Sequence, residues 1–257
     1  VMHNTSDKYG VGMIDVINTY YNRPDIPIGS YKGDDAYSWF FSKKMFAKTI
    51  VTSSIYENDM VTRDDAPPAL DVYKKVLSGM PRKSVVIVSV GWTINLRDLI
   101  KDREGNQLVK EKVEKLVLMG GSWNPPDSAS RRVQMNLLGN QVIKPAYESG
   151  KYVVENWPTP IVFSGLVGKI VKAGSGLWNT PKDNPVREAY RLGFLYWGTD
   201  SIKNYHTADL TTVLYAVRGK SAYWKLHTRG TPRMILLADD WSRQNPGRNQ
   251  YPVRENS

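Results

Sequence analysis

The sequence predicts an α/β fold, a doubly wound and mostly parallel sheet, and three observations carry that prediction. Short apolar runs rich in β-branched residues recur: "VVIVSV" at 85–90, "KLVLMGG" at 115–121, "TPIVFSG" at 159–165 and "PRMILLA" at 232–238. Segments with helical spacing lie between and after them. Small, polar or glycine residues follow each run, as the lining of a crevice at the carboxyl edge of a parallel sheet requires.

The first three runs are continuously apolar, the character of strands buried on both faces of a parallel sheet. At the start, "VMHNT" reads as a strand, and the residues from Val11 to Tyr21 read as a helix. "APPALDVYKKVLSGM" reads as a helix with prolines in its first turn, and the preceding Asp64 and Asp65 are placed to cap it or favour its dipole. "LLGNQVIKPAYESG" reads as a helix ending on Gly150 and kinked or shortened by Pro145. "NPVREAYRLGFLYWG" opens with Asn184 as N-cap and Pro185 at the first helical position. Strands alternate with helices, without a repeat or a low-complexity linker, which predicts one domain over 1–257.

Composition then excludes several classes of function. Of the 257 residues, 41% are hydrophobic and 23% charged, an ordinary globular balance. No apolar run reaches the roughly eighteen residues of a transmembrane helix, so no membrane partner is expected. The absence of cysteine excludes disulfides, thiolate zinc sites and cysteine nucleophiles. His3, His206 and His227 are too scattered to form a metal-ligand motif. A formal charge of +10 raises the question of nucleic acid. The basic residues are interleaved with acids, however, as in "KDREGNQLVKEKVEK" at 101–115, which reads as a solvated helix face, so nucleic acid is not an expected partner. No signal-peptide pattern follows Val1, and any leader is expected to have been removed; the compartment inclines to secreted or periplasmic.

Along almost its whole length the sequence resembles the inosine–uridine-preferring nucleoside hydrolase family, in its divergent bacterial-type members. The resemblance is carried by "VMHNTSDKYGVGMIDVINTYYNRPDIPIG", "VVIVSVGWTINLRDLI", "KLVLMGGSWN", "PIVFSGLVGKIVKAG" and "NPVREAYRLGF" with "DLTTVLYAVRG". It implies hydrolysis of the N-glycosidic bond of ribonucleosides, with a bound Ca²⁺ gripping the ribose hydroxyls and the attacking water, and a carboxylate taking the water proton. It further implies that Asn4, Asn124, Gln134 and Asn136 bind the substrate. Asp209, on a late helix, and the backbone carbonyl of Ile94 are the implied metal ligands. Gln134 stands where the family has a glutamate, and Ala208 stands where an imidazole or aromatic group often helps the leaving base.

The family's aspartate-rich strand-to-helix turn would fall upstream of Val1, with "VMHNT" as the second strand. The resemblance therefore implies a chain lacking the family's first strand and helix, with the general-base aspartate expected upstream. Asp7 lies beyond Asn4 on a different turn, and the pairs Asp34-Asp35, Asp64-Asp65 and Asp239-Asp240 fall in loops or at helix starts, where adjacent acids are usually solvated. Two readings follow: a Ca²⁺-dependent nucleoside N-ribohydrolase, or a catalytically inactive relative acting as a binding or structural, assembly-forming protein. Gln134, Ala208 and the abundance of Trp and Tyr speak for the second. The expected ligand is a ribonucleoside or ribose-like small molecule, and a homo-oligomer is the expected assembly.

Overall fold

A computed structural model describes residues 1–36, 46–121, 144–165, 168, 171–219, 224–227 and 249–253. The predicted strand at 232–238 lies outside these residues. The described chain runs β1 (Met2–His3), α1 (Gly10–Tyr20), β2 (Gly29–Ser30), α2 (Phe46–Val51) and α3 (Ala69–Ser78). It continues through β3 (Val85–Ser89), α4 (Ile94–Lys101), α5 (Arg103–Lys112), β4 (Val113–Leu118), α6 (Lys144–Asn156) and β5 (Ile161–Phe163). Then come β6 (Lys172–Ala173), a 3-10 helix (Ser175–Asn179), α7 (Pro185–Tyr196), β7 (Tyr205–His206), α8 (Ala208–Arg218), β8 (Lys225–His227) and β9 (Asn249–Val253). This is an α/β fold built on parallel strands, as predicted.

The chain forms two compact units, and neither is continuous in sequence. The first comprises Val1–Val72 and Ala173–Tyr205, the second Tyr73–Lys172 and His206–Ser257.

In the first unit β1 and β2 pair in parallel, with His3 opposite Ser30. Helix α1 packs on α2 and α7, which also pack on each other. Val16, Ile50 and Val51 form the buried centre of this packing, flanked by Met13, Tyr56, Ala189 and Leu192. Val11, Ile28 and Ala66 form a second cluster beside it. Two polar groups are buried on purpose-built partners. The Asp15 carboxylate accepts the backbone N–H groups of Asp59 (2.6 Å) and Met60 (2.9 Å), so this acid is a loop anchor rather than a free ligand. His3 packs so closely on the start of α1 that a Cβ at Gly10 would lie 2.2 Å from its Nε2. A larger residue at position 10 would displace the His3 ring.

In the second unit β3, β4 and β5 run parallel in that order, and β9 continues the sheet in parallel with β5 before β8 closes it antiparallel. Leu116, Val117, Leu118, Ile161, Val162 and Phe163 are all essentially inaccessible to solvent, which explains their unbroken apolar run. Helix α8 lies on β3 and β4, and α4 packs on α5 and α6. Val117, Val162, Tyr215 and Trp224 form one core cluster there.

Several local signals did what the sequence suggested. Asn184 caps α7, its side-chain oxygen accepting from the N–H groups of Val186 and Arg187, with Pro185 at N1. The mixed-charge segment is α5, capped by Asp102 through the N–H of Gly105. Two signals resolved differently. Asp65 caps no helix: its Oδ2 accepts from the N–H groups of Val61 (2.9 Å) and Thr62 (2.7 Å), closing a turn before α3. Helix α6 does not end at Gly150 but runs on to Asn156, and Pro145 lies in its first described turn.

The His3 ring bridges two hydroxyls. Ser30 donates to the Tyr31 carbonyl (3.2 Å), which leaves Nδ1–H of His3 to donate to Ser30 Oγ (3.3 Å), while Thr5 donates to Nε2 (3.0 Å). Burial, with a smaller push from Arg63, lowers the ring's pKa to about 4 against an opposing pull from Asp7. The folded state thus holds the ring neutral, and the unfolded chain binds the proton more tightly. Stability is expected to be fully present above about pH 6.5 and to fall by up to about 3 kcal/mol as pH drops through about 4. Urea unfolding of the wild type and of His3→Gln across this range checks it, and the substitution should flatten that slope.

Candidate functional site

In the second unit the carboxyl edge of the parallel strands is extended by backbone hydrogen bonds beyond the strands themselves. Met119 N–H donates to the Ser89 carbonyl (2.9 Å), Ser164 N–H to Leu118 (2.9 Å) and Gly165 N–H to Gly120 (3.0 Å). The segments after β3, β4 and β5 are therefore held in register as one rim, where open α/β sheets place their ligands.

Helix α4 starts on this rim. Ile94 is its first residue and fully buried, Asn95 beside it is also buried, and the Thr93 hydroxyl meets that of Ser149 at 3.4 Å. Helical geometry directs the Ile94 carbonyl to the N–H of Asp98, leaving one lone pair uncommitted.

Helix α8 reaches the same sheet through a set of threonines. The Thr207 hydroxyl donates not to its own helix but to the carbonyls of Val171 (3.0 Å) and Gly168 (3.3 Å), and its N–H goes to the Gly168 carbonyl (3.0 Å). The approach is so close that a Cβ at residue 168 would lie 2.3 Å from the Ala208 Cα. Thr212 uses its hydroxyl proton on the Ala208 carbonyl (2.8 Å), so Ser164 must donate to Thr212 Oγ1 across the buried 2.6 Å contact. The end of β5 and the first turn of α8 are thereby locked together.

Asp209 stands in that locked first turn. It makes no hydrogen bond or ion pair among the described residues, and the residue is exposed to solvent. The helix dipole favours its charged form, yet crowding by protein wins and pushes the carboxyl up to about 6. A carboxylate left without a cation, in a turn that cannot relax, is the strongest candidate for a ligand-binding group in this unit.

The other predicted positions divide clearly. Asn4 directly follows β1 in the first unit, is half-buried and is bonded. Asn124, Gln134 and Asn136 lie outside the described residues, as do Asp239 and Asp240. The remaining acids near the start have work of their own. Asp7 accepts the N–H of Tyr9 at the entry to α1, Asp34 pairs with Arg63, and Asp35 accepts the Tyr31 hydroxyl (2.6 Å). His206 is exposed. Among the described residues there is no group of three or more His, Cys, Asp or Glu side chains placed to hold a metal ion. Sequence reasoning passed over Thr207 and Thr212, which position Asp209 together with Ser164, one of the polar residues read as crevice lining after the strand runs. The pattern "HTADLTT" offered the signal, since three threonines around one acid supply short donors for a close helix-to-sheet contact.

Aligned on solved structures, the chain overlaps the crystal structure of an inosine–uridine preferring nucleoside hydrolase from Bacillus anthracis over 100% of its own length and 84% of that chain. The TM-score is 0.62 and the identity 14%. The fold is nucleoside hydrolase-like. The type III effector protein XopQ, in complex with adenosine diphosphate ribose, matches over 84% of this chain and 70% of its own, with a TM-score of 0.54 and 11% identity. No family model matches the sequence, and no curated protein sequence matches it. The nucleoside hydrolase-like fold is thus seen in the backbone, where buried apolar runs and rim turns persist, rather than in residue identity.

Asp209 gives this site a pH signature. Its folded pKa lies above the ordinary carboxylate value, so the ionised form is disfavoured by folding, and the penalty appears as pH rises from about 4 to about 6. Asp209→Asn is therefore expected to raise the melting temperature above about pH 6 and to leave it unchanged below about pH 4. Thermal melts of the two proteins at the two ends of that range measure the difference.

Proposed function

We propose that the protein binds the ribosyl group of a nucleoside or ribose-like molecule and hydrolyses its N-glycosidic bond, as a nucleoside N-ribohydrolase. The observation that carries the reading is the Asp209 carboxylate, without a partner among the described residues, on the helix that Thr212 ties to the rim of a nucleoside hydrolase-like fold. Breaking this bond leaves positive charge on the ribose, and an accessible carboxylate carried on a fixed turn stabilises that charge with little reorganisation. In the ground state the same oxygens accept hydrogen bonds from ribose hydroxyls. Asn4, Asn124, Gln134 and Asn136 are the proposed sugar-orienting side chains. The attacking water needs a general base, which the reading assigns to a carboxylate other than Asp209.

Calcium belongs to this proposal through Asp209 and the Ile94 carbonyl. Ca²⁺ takes six to eight oxygens, and one carboxylate with one carbonyl does not fill that shell. The described residues alone do not fit the ion, and no step is assigned to it. That shortfall favours a second reading, in which the same surface binds a ribosyl ligand without cleaving it.

Incubation with inosine and uridine, with Ca²⁺ or with chelator, and chromatography of released base separates the two. The hydrolase reading expects base release that Asp209→Asn lowers by about a hundredfold or more. Saturable nucleoside binding without release favours the second reading. Neither binding nor release overturns both.

A further inference from the structure

The first unit contains a cation without a partner. Arg187, in the first turn of α7, is only 8% exposed, and its Nε is fully buried with nothing to donate to. No hydrogen bond or ion pair of its guanidinium occurs among the described residues. Two acids close in sequence do not serve it: Glu188 is held by one edge of Arg191, through Nε and Nη2 (2.8 Å each), and Asp183 is exposed and unpaired with it. The guanidinium lies instead over the indole of Trp178, 5.0 Å from the ring centroid, and that indole is 43% exposed.

A second orphan donor sits on the adjoining helix. Asn18 Nδ2 in α1 is buried and has no acceptor. Helices α1 and α7 pack together and are tied by the Asn184 amide donating to the Tyr21 hydroxyl (3.0 Å). Asn18 lies one turn before Tyr21 and Arg187 one turn after Asn184. Each of the two unsatisfied donors thus lies one helical turn along the chain from an end of this interhelical bond, and native proteins leave few such groups.

Buried guanidinium without an anion is among the least favourable arrangements a fold can keep. Stacking on Trp178 uses the face of the guanidinium and leaves its edge, including Nε–H, which matches two coplanar oxygens. We propose that Arg187, stacked on Trp178 and joined by Asn18, forms an oxyanion site in the first unit that takes the carboxylate or phosphate group of a small ligand. This site is independent of Asp209 and of the hydrolase reading.

The test uses inorganic phosphate and acetate as probes on the unmodified protein, with chloride at matched ionic strength as the control. Expected is a saturable rise in melting temperature together with a change in tryptophan fluorescence that Trp178→Phe removes. A response to phosphate alone, to acetate alone or to both supports the site and identifies its oxyanion. Arg187→Met should weaken the response by about ten- to a hundredfold. It should also melt no lower than wild type without anion, because it removes an uncompensated charge. Calorimetric titration of the unmodified protein with phosphate and acetate gives an answer that does not depend on any variant folding. No saturable response beyond chloride, or a full response in a folded Arg187→Met, overturns the proposal.

Discussion

The second unit depends on how closely the first turn of α8 is brought to the end of β5. Thr207 turns its hydroxyl away from its own helix to reach the carbonyls of Gly168 and Val171, and Ser164 closes the contact through Thr212. Gly168 makes the approach sterically possible. Asp209 inherits its environment from these bonds. The turn that carries this acid is pinned at Gly168, Val171 and Ser164, so its backbone is held in place. The raised pKa is thus a product of packing by uncharged neighbours, and its cause lies in residues that have no chemistry of their own.

Polar groups in this protein fall into two kinds. Most buried ones are satisfied by partners that fold with them: Asp15 by two loop amides, His3 by two hydroxyls, Asn184 by its own helix and by Tyr21. Two charged groups of opposite sign lack a partner among the described residues. Asp209 in the second unit lacks a donor or cation, and Arg187 in the first lacks an acceptor. Satisfied groups report what the fold needs for itself, whereas unsatisfied ones report what it is built to meet.

β4 and β5 were legible because their apolar runs are buried, and β3, half-buried at the end of the described sheet, was legible from the β-branched continuity of 85–90. Helix α7 was legible from Asn184-Pro185, a cap whose chemistry is wholly local. Long-range partners were not. Asp65 has the same sequence signature whether it caps a helix or closes a turn, and only the positions of Val61 and Thr62 decide. β9 carries Pro252, which cannot donate to a ladder and so argues against a strand until β5 and β8 are seen on either side. Of the site, Asp209 was found through the family resemblance, while Arg187 looked like one more basic residue on a basic chain. Nothing in "NPVREAY" says that its arginine points inward, since that depends on Trp178 arriving from another segment.

The discontinuity of the first unit has a consequence for the order in which the protein can be made. Helix α1 finds its neighbour α7 across 163 residues of chain, the separation of Tyr21 and Asn184. A ribosome delivers the N-terminal segment first, so the apolar side of α1 waits while the whole of β3, β4 and β5 emerges. The second unit's central strands have no such delay, because each follows its neighbour within a few tens of residues. Synthesis therefore favours a nascent chain whose later-numbered sheet is assembled while α1 and α2 still lack α7, and that interval is when a chaperone would have something to hold.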